Sequence, residues 1–212
     1  QNTIENEIYL NTENYDIMIS DDEFKVDIMK NLPDKLTSKT TTSLKWKSDF
    51  IDYFRDDKFK KMNILEVGSS LGHSTRILSH LLKKVIALDN LPERHIKSKK
   101  LNHDRNNIDY LVMDVYNQPW NFEEMDLVFI DCVHEYQHIK SDIDNSIKSF
   151  NKPLLIFDDY GLFPEVKKAI DEYIENGTLK LVTYLGQPEG TYFPKTQYKI
   201  LKDREGIVCQ VN

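Results

Sequence analysis

From Asn63 to about Glu175 the chain alternates short apolar runs with segments of helix length, and few architectures accept that alternation. The runs are Ile64–Val67, Val85–Leu88, Ile108–Met113, Leu127–Ile130 and Pro153–Phe157. Between them lie 73–83, 92–102 and 135–149, with another helix-length segment at 163–175. Apolar runs this short are strands buried on both sides, and strands separated by a helix run parallel. After Gly177 the texture changes to Leu179–Leu185, Gln197–Leu201 and Ile207–Val211, the last two joined by Asp203-Arg204-Glu205-Gly206. Strands joined by a tight turn pair antiparallel. The pattern predicts an α/β, Rossmann-like doubly wound fold: a mostly parallel seven-stranded sheet with an antiparallel edge.

Ahead of this core, residues 1–40 are acidic and weakly periodic, densest at Asp21-Asp22-Glu23. They are expected to form an N-terminal helical arm or lid, with one short helix over Asp22–Leu32 stopped by Pro33. Residues 41–212 are expected to form the domain proper, opening with a helix over Ser43–Phe54. Thr40-Thr41-Thr42 and Trp46 stand where a substrate loop is expected.

In doubly wound sheets, ligands bind beyond the carboxyl ends of the strands. The strand ends here read Glu66-Val67-Gly68, Asp89-Asn90, Asp114-Val115, Asp131-Cys132-Val133-His134 and Asp158-Asp159-Tyr160. All five carry a carboxylate, more than helix capping alone explains. The first belongs to the stretch Ile64-Leu65-Glu66-Val67-Gly68-Ser69-Ser70-Leu71-Gly72-His73-Ser74-Thr75, a strand, a tight turn and a helix start. A dinucleotide fingerprint would need glycine at 66, 68 and 71, where Glu66, Gly68 and Leu71 stand. A carboxylate beside the turn repels a pyrophosphate and attracts a cationic ligand, and S-adenosylmethionine, with its ammonium and sulfonium, has that charge. Gly68 and Gly72 permit a tight turn, Ser69 and Ser70 line it, and the amides of His73, Ser74 and Thr75 suit a carboxylate. Asp89, with Asn90, is placed for ribose hydroxyls, and Asp114, with Val115, for an adenine amino group.

If the fourth and fifth strands are neighbours, about 4.8 Å apart, Asp131, Asp158 and Asp159 crowd together. Carboxylates that close raise one another's pKa or recruit a cation, and hard oxygen ligands favour Mg²⁺. Alternatively, Asp158 or Asp159 caps a helix while Asp131 touches the cofactor. His134 stands at the mouth of the same site, either as a base toward a substrate hydroxyl or as a histidine merely satisfied by its acidic neighbours. Tyr136 and Tyr160 are candidates for an acceptor pocket.

The lines "LEVGSSLGHST", "LVFIDCVHEYQHIKSDI" and "LLIFDDYGLFPEVKKAIDEY" resemble class I S-adenosylmethionine-dependent methyltransferases. Within that class they look most like the metal-dependent sugar and macrolide O-methyltransferases of the macrocin type. The resemblance runs from about Leu44 to Thr183. It implies Asp131, Asp158 and Asp159 as metal ligands, His134 as a base, Glu66, Gly68 and Gly72 as the first cofactor motif, and Asp89 as the ribose acid. Ser149-Phe150-Asn151-Lys152-Pro153 departs from the glycine-rich turn of many relatives.

The expected activity is therefore methyl transfer from S-adenosylmethionine to a hydroxyl, with Asp131 and His134 catalytic and Mg²⁺ assisting. Rivals are transfer to nitrogen or carbon, a non-catalytic cofactor-binding module, and a nicotinamide-dependent oxidoreductase. The net charge of -7 and the lack of an Asn-Pro-Pro-aromatic motif after the fourth strand argue for a small-molecule acceptor over a nucleic acid. No apolar run nears the roughly 20 residues of a membrane span. With only two cysteines, Cys132 and Cys209, and no signal peptide visible at Gln1–Glu7, a reduced cytoplasmic chain without membrane attachment is expected. Assembly into a homo-oligomer is left open.

Overall fold

The computed structural model describes residues 22–212. The chain divides into two compact units, residues 1–32 and 33–212. In the first, helix α1 spans Glu23–Met29, capped by Asp22, whose carboxylate accepts from the Lys25 amide at 3.1 Å. The rest of the predicted acidic segment lies outside the described residues.

In the second unit, Ser43 caps helix α2 (Leu44–Phe54), its hydroxyl accepting from the Trp46 amide. There follow β1 (Asn63–Val67), α3 (His73–Leu81), β2 (Lys84–Asp89), α4 (Pro92–Leu101), β3 (Ile108–Val112) and β4 (Leu127–Ile130). Then come α5 (Tyr136–Ser149), β5 (Leu154–Phe157), α6 (Pro164–Glu175), β6 (Leu179–Pro188), β7 (Tyr192–Phe193), β8 (Tyr198–Lys199) and β9 (Arg204–Val211). Proline opens α4 and α6, where its missing N–H costs no helix bond.

The main sheet has seven strands in the order β3-β2-β1-β4-β5-β9-β6. Strands β1 to β5 are parallel, and β9 lies antiparallel between β5 and β6. The predicted fold is present, with two corrections. Gln197–Leu201 does not join the sheet: only Tyr198–Lys199 is extended, and it pairs with Tyr192–Phe193 in a separate ribbon. Trp46 is not in a substrate loop but fully buried on α2, stacked on Phe50 and against Phe129 with ring centres 5.1 Å apart in both pairs.

Burying both sheet faces explains the unbroken apolar runs. On one face Leu65, Val67, Val128, Ile130, Leu155 and Phe157 pack against Ile139 and Ile143 of α5 and Val166 and Ile170 of α6. The outer strand β3 leaves Leu111 and Val112 exposed. The chain leaves β1 toward β2 and β4 toward β5, so the switch point of the winding falls between β1 and β4. A crevice opens there at the carboxyl ends. Register fixes the rim: Val67 pairs with Ile130 and Ile130 with Phe157, bringing Gly68, Asp131 and Asp158 side by side.

Candidate active site

Two cavities, of about 440 and about 200 Å³, meet at Gly68, Ser70, Arg94, Asp131 and Cys132. A larger hollow elsewhere, of about 540 Å³, lacks the strand-end acids. The wider cavity is lined by Asp89, Asn90, Met113, Asp114, Val115, Tyr116 and His138, among others. The narrower one takes in Lys35, Thr40, Thr41, Ser69, His73, Ser74, His134, Asp158 and Asp159.

Backbone freedom makes the junction. Gly68 has φ 92°, and a Cβ there would come within 2.2 Å of the Asp131 carbonyl, so β1 and β4 can approach this closely only at glycine. Gly72 has φ 85°, and a Cβ would come within 2.0 Å of Ser98 on α4. No side chain caps α3 at Gly72. Its first amides border the narrower cavity at His73 and Ser74, a position suited to a carboxylate.

Glu66 is placed otherwise than the charge argument assumed. It is fully buried within β1 and absent from both cavity walls. One oxygen accepts from the Thr75 hydroxyl at 2.6 Å, tying β1 to the first turn of α3. Burial pushes its pKa up to about 8, helped by Asp131 and Asp89 and opposed by the Thr75 bond. It is thus largely uncharged at neutral pH and offers no ion pair to a cation.

Asp89 ends β2 with its side chain almost covered. It accepts from the amides of Ser70 at 2.9 Å and Leu91 at 3.0 Å, and Arg94 Nη1 approaches within 3.3 Å. Asp114 turns back on its own loop, accepting from the Tyr116 amide at 3.1 Å and from Asn117 Nδ2 at 2.6 Å. The Asn117 side chain, then the Tyr116 amide, lower its pKa.

The β4 and β5 ends hold the acids expected to take a metal. Among the described residues, Asp131, His134 and Asp159 each offer one ligand atom, all within 4.8 Å of one another. Asp158 is not in that set. Instead Lys35, from the segment just before α2, reaches into the acids: its Nζ donates to Asp159 Oδ1 at 2.6 Å and lies 3.6 Å from Asp158 Oδ2. Asp159 adopts φ 60°, an unusual backbone for a non-glycine residue, which turns its carboxylate toward both Lys35 and His134.

His134 Nε2 lies 3.0 Å from Asp159 Oδ2 and 3.7 Å from Asp131 Oδ1. Burial alone would lower the imidazole pKa, but the two carboxylates outweigh it and raise it to about 10. The same competition polarises the acids. Asp159 is held well below the usual carboxylate range because Lys35 and His134 outweigh its burial, while burial and the adjacent Asp159 push Asp158 well above it. Of the two acids Asp159 is thus the favoured charged partner of Lys35, and Asp158 is biased toward its neutral form.

Nothing in the local sequence around Lys35 pointed to it, because its partners lie more than 120 positions away. Arg94 was likewise missed on α4. Tyr136 and Tyr160 donate to Glu172 and Asp171 and so stand engaged within the α5–α6 layer. The aromatic face that meets the site is Phe163, stacked on the His134 ring at 4.4 Å between centres.

Residues 65–160 match the family model described as a methyltransferase domain. Over that stretch the chain is similar to a methyltransferase domain. The chain is similar in fold to N-methyltransferase NodS from Bradyrhizobium japonicum WM9 in complex with S-adenosyl-L-homocysteine: TM-score 0.57, 16% identity, covering 77% of this chain and 83% of that one. An rRNA methylase from Streptococcus thermophilus gives TM-score 0.53 at 16% identity, covering 77% and 92%. The tRNA (m1A58) methyltransferase TrmI from Aquifex aeolicus gives TM-score 0.57 at 15% identity, covering 88% and 74%. A comparison with curated proteins finds no match. At these identities the likeness is one of fold, and it spans proteins named for RNA substrates. The fold therefore lends no support to the predicted exclusion of nucleic acid. Among the described residues, no helix is long and apolar enough to cross a membrane.

Proposed function

We propose that this methyltransferase methylates a hydroxyl oxygen of a small, sugar-like acceptor. The observation that carries the proposal is the pairing of His134 with Asp131 and Asp159 in the narrower cavity, where Asp131 also borders the wider one. When bound, S-adenosylmethionine supplies an electrophilic methyl group. The wider cavity would take the adenosine end, with Asp89 accepting from ribose hydroxyls and Asp114 and Val115 beside the base. The uncapped start of α3 at His73 and Ser74 would receive the amino-acid carboxylate, Gly68, Ser69 and Ser70 lining the path between. Glu66 serves this cradle from behind, holding α3 to β1 through Thr75.

The acceptor would enter beside Phe163, with its oxygen near Asp131 and His134. Alignment of two reactants is the main gain available to such a site, up to roughly 7–11 kcal/mol in favourable cases. The departing hydroxyl proton is received by the His134–Asp131 pair. Because His134 is raised to about 10, it is protonated at neutral pH, and Asp131 is the acceptor there. Turnover should accordingly climb with pH as neutral imidazole accumulates.

The acids do not fit the Mg²⁺ site expected from the sequence. Asp158 stands outside the converging set, and both oxygens of Asp159 are engaged. No step is assigned to a metal. The negative net charge and the narrow cavity favour a small acceptor over RNA, and the division into an N-terminal arm, 1–40, and a domain, 41–212, is part of the same proposal. The cytoplasmic location expected of a low-cysteine chain is part of the same proposal.

The test combines calorimetry with a labelled-methyl assay. S-adenosylhomocysteine, but not NADH, should bind at micromolar concentration, and label should pass to polyhydroxylated acceptors but not to amines. Transfer to amines alone, or pH-independent transfer, would sink the O-methylation proposal and favour N-methylation. Binding without any transfer would favour a non-catalytic module.

A further inference from the structure

Residues 33–43 form a strap across the acidic end of the crevice, and its anchors are unusually thorough. Fully buried Lys47 of α2 donates to the Pro33 carbonyl at 3.0 Å, Thr41 Oγ1 at 2.8 Å and the Thr42 carbonyl at 2.5 Å. Asp34 Oδ1 accepts from the amides of Leu36 and Leu44, both at 3.2 Å. Ser43 donates its amide to buried Glu205 at 2.9 Å. Leu36 packs with Leu162, Phe193 and Ile200 in a satellite core. Between these fixed points stands Lys35, only 5% exposed.

The Lys35 ammonium is aimed at one place. It touches Asp159 Oδ1, lies 3.6 Å from Asp158 Oδ2 and sits 5.5 Å from the centre of the Phe193 ring. Asp159 Oδ2 is taken by His134. A divalent ion there would need free carboxylate oxygens at about 2.0–2.6 Å and would face an ammonium sharing the same carboxylate. Two of the three acids that the sequence offers to a metal are thus turned to a cation covalently part of the chain.

We propose that Lys35 is the resident cation of the Asp158–Asp159 pair, taking the place of the divalent ion, so that the strap is closed by an ion pair and the site is complete without metal. This goes beyond the methylation proposed above, and neither cofactor nor turnover enters its test.

Mn²⁺ alone is titrated into the full chain, following the free ion by electron paramagnetic resonance, for the parent, Lys35→Met, Asp159→Asn and the double variant. The parent and Asp159→Asn should show the same negligible uptake at millimolar Mn²⁺. Lys35→Met should bind about tenfold or more tightly than the parent, since a contacting positive charge has been removed, and lose that binding in the double variant. Uptake by the parent that Asp159→Asn abolishes overturns the proposal, as does equal affinity in the parent and Lys35→Met. Should Lys35→Met fail to fold by circular dichroism, the parent and Asp159→Asn decide alone: equal, negligible uptake supports the resident lysine, and Asp159-dependent uptake refutes it.

Discussion

The two halves of the crevice satisfy their acids in opposite ways. At the β2 and β3 ends, Asp89 and Asp114 are held by amides and side chains of their own loops, mostly two to five residues away, with Ser70 the exception. At the β4 and β5 ends, Asp159 is held by Lys35 and His134, partners brought from other parts of the chain. Locally held acids have their hydrogen bonds made largely within their own loops, and both still border the wider cavity. Acids held across the fold are structural first. Their charges are balanced by buried groups, and chemistry there must share them.

The sharpest way to break this contrast is to compare truncations. Asp159→Ala leaves Lys35 and His134 without their common anion in a buried setting, and breaking such a pair typically costs about 3–5 kcal/mol. Equilibrium denaturation should show a loss of that order. A change no larger than that of Asp89→Asn would erase the distinction between the halves.

Asp89→Asn itself should cost less stability, about 1–2 kcal/mol, because the asparagine can still accept one of the loop amides. Its larger signature is expected in ligand binding: calorimetry should find S-adenosylhomocysteine bound about tenfold or more weakly. Full affinity in this variant would remove Asp89 from the ribose site.

Glu66 sharpens the comparison from behind the cradle, as a buried acid whose partner is local. Its pKa in the folded protein is about 8, against 4.5 ordinarily, so the folded state holds the extra proton between those values. Stability from this group is present at low pH and is lost as pH rises from about 4.5 to 8, by about 1.4 kcal/mol per unit. Glu66→Gln, which never ionises, should match the parent near pH 5 and exceed it near pH 8 in thermal melting. Identical pH dependence of parent and variant would show that Glu66 is ionised in the fold.

The local half was the legible half. A strand, a glycine turn and a helix start within Ile64–Thr75 place Gly68, Ser69, Ser70 and His73 without help from elsewhere, and the structure brings them to the cavities as expected. Spacing along the chain shows the three acids but not what faces them: two of them stand opposite Lys35, and Asp158 lies outside the converging set. Lys35 is 123 and 124 positions from Asp158 and Asp159, so their pairing leaves no mark in the local sequence. Trp46 had helical spacing that fitted a core face, yet its nearness to the threonines suggested a loop, and only packing against Phe129 places it.

By itself, the sequence determined the alternation of strand and helix, the parallel sheet and the row of carboxylates on its rim, because periodicity and turn chemistry act over a few residues. The tertiary structure alone decided the insertion of β9 between β5 and β6, the burial that neutralises Glu66, and the ion pair of Lys35 with Asp159. Those depend on desolvation and on charges that meet only when distant segments pack, and neither has a signature along the chain.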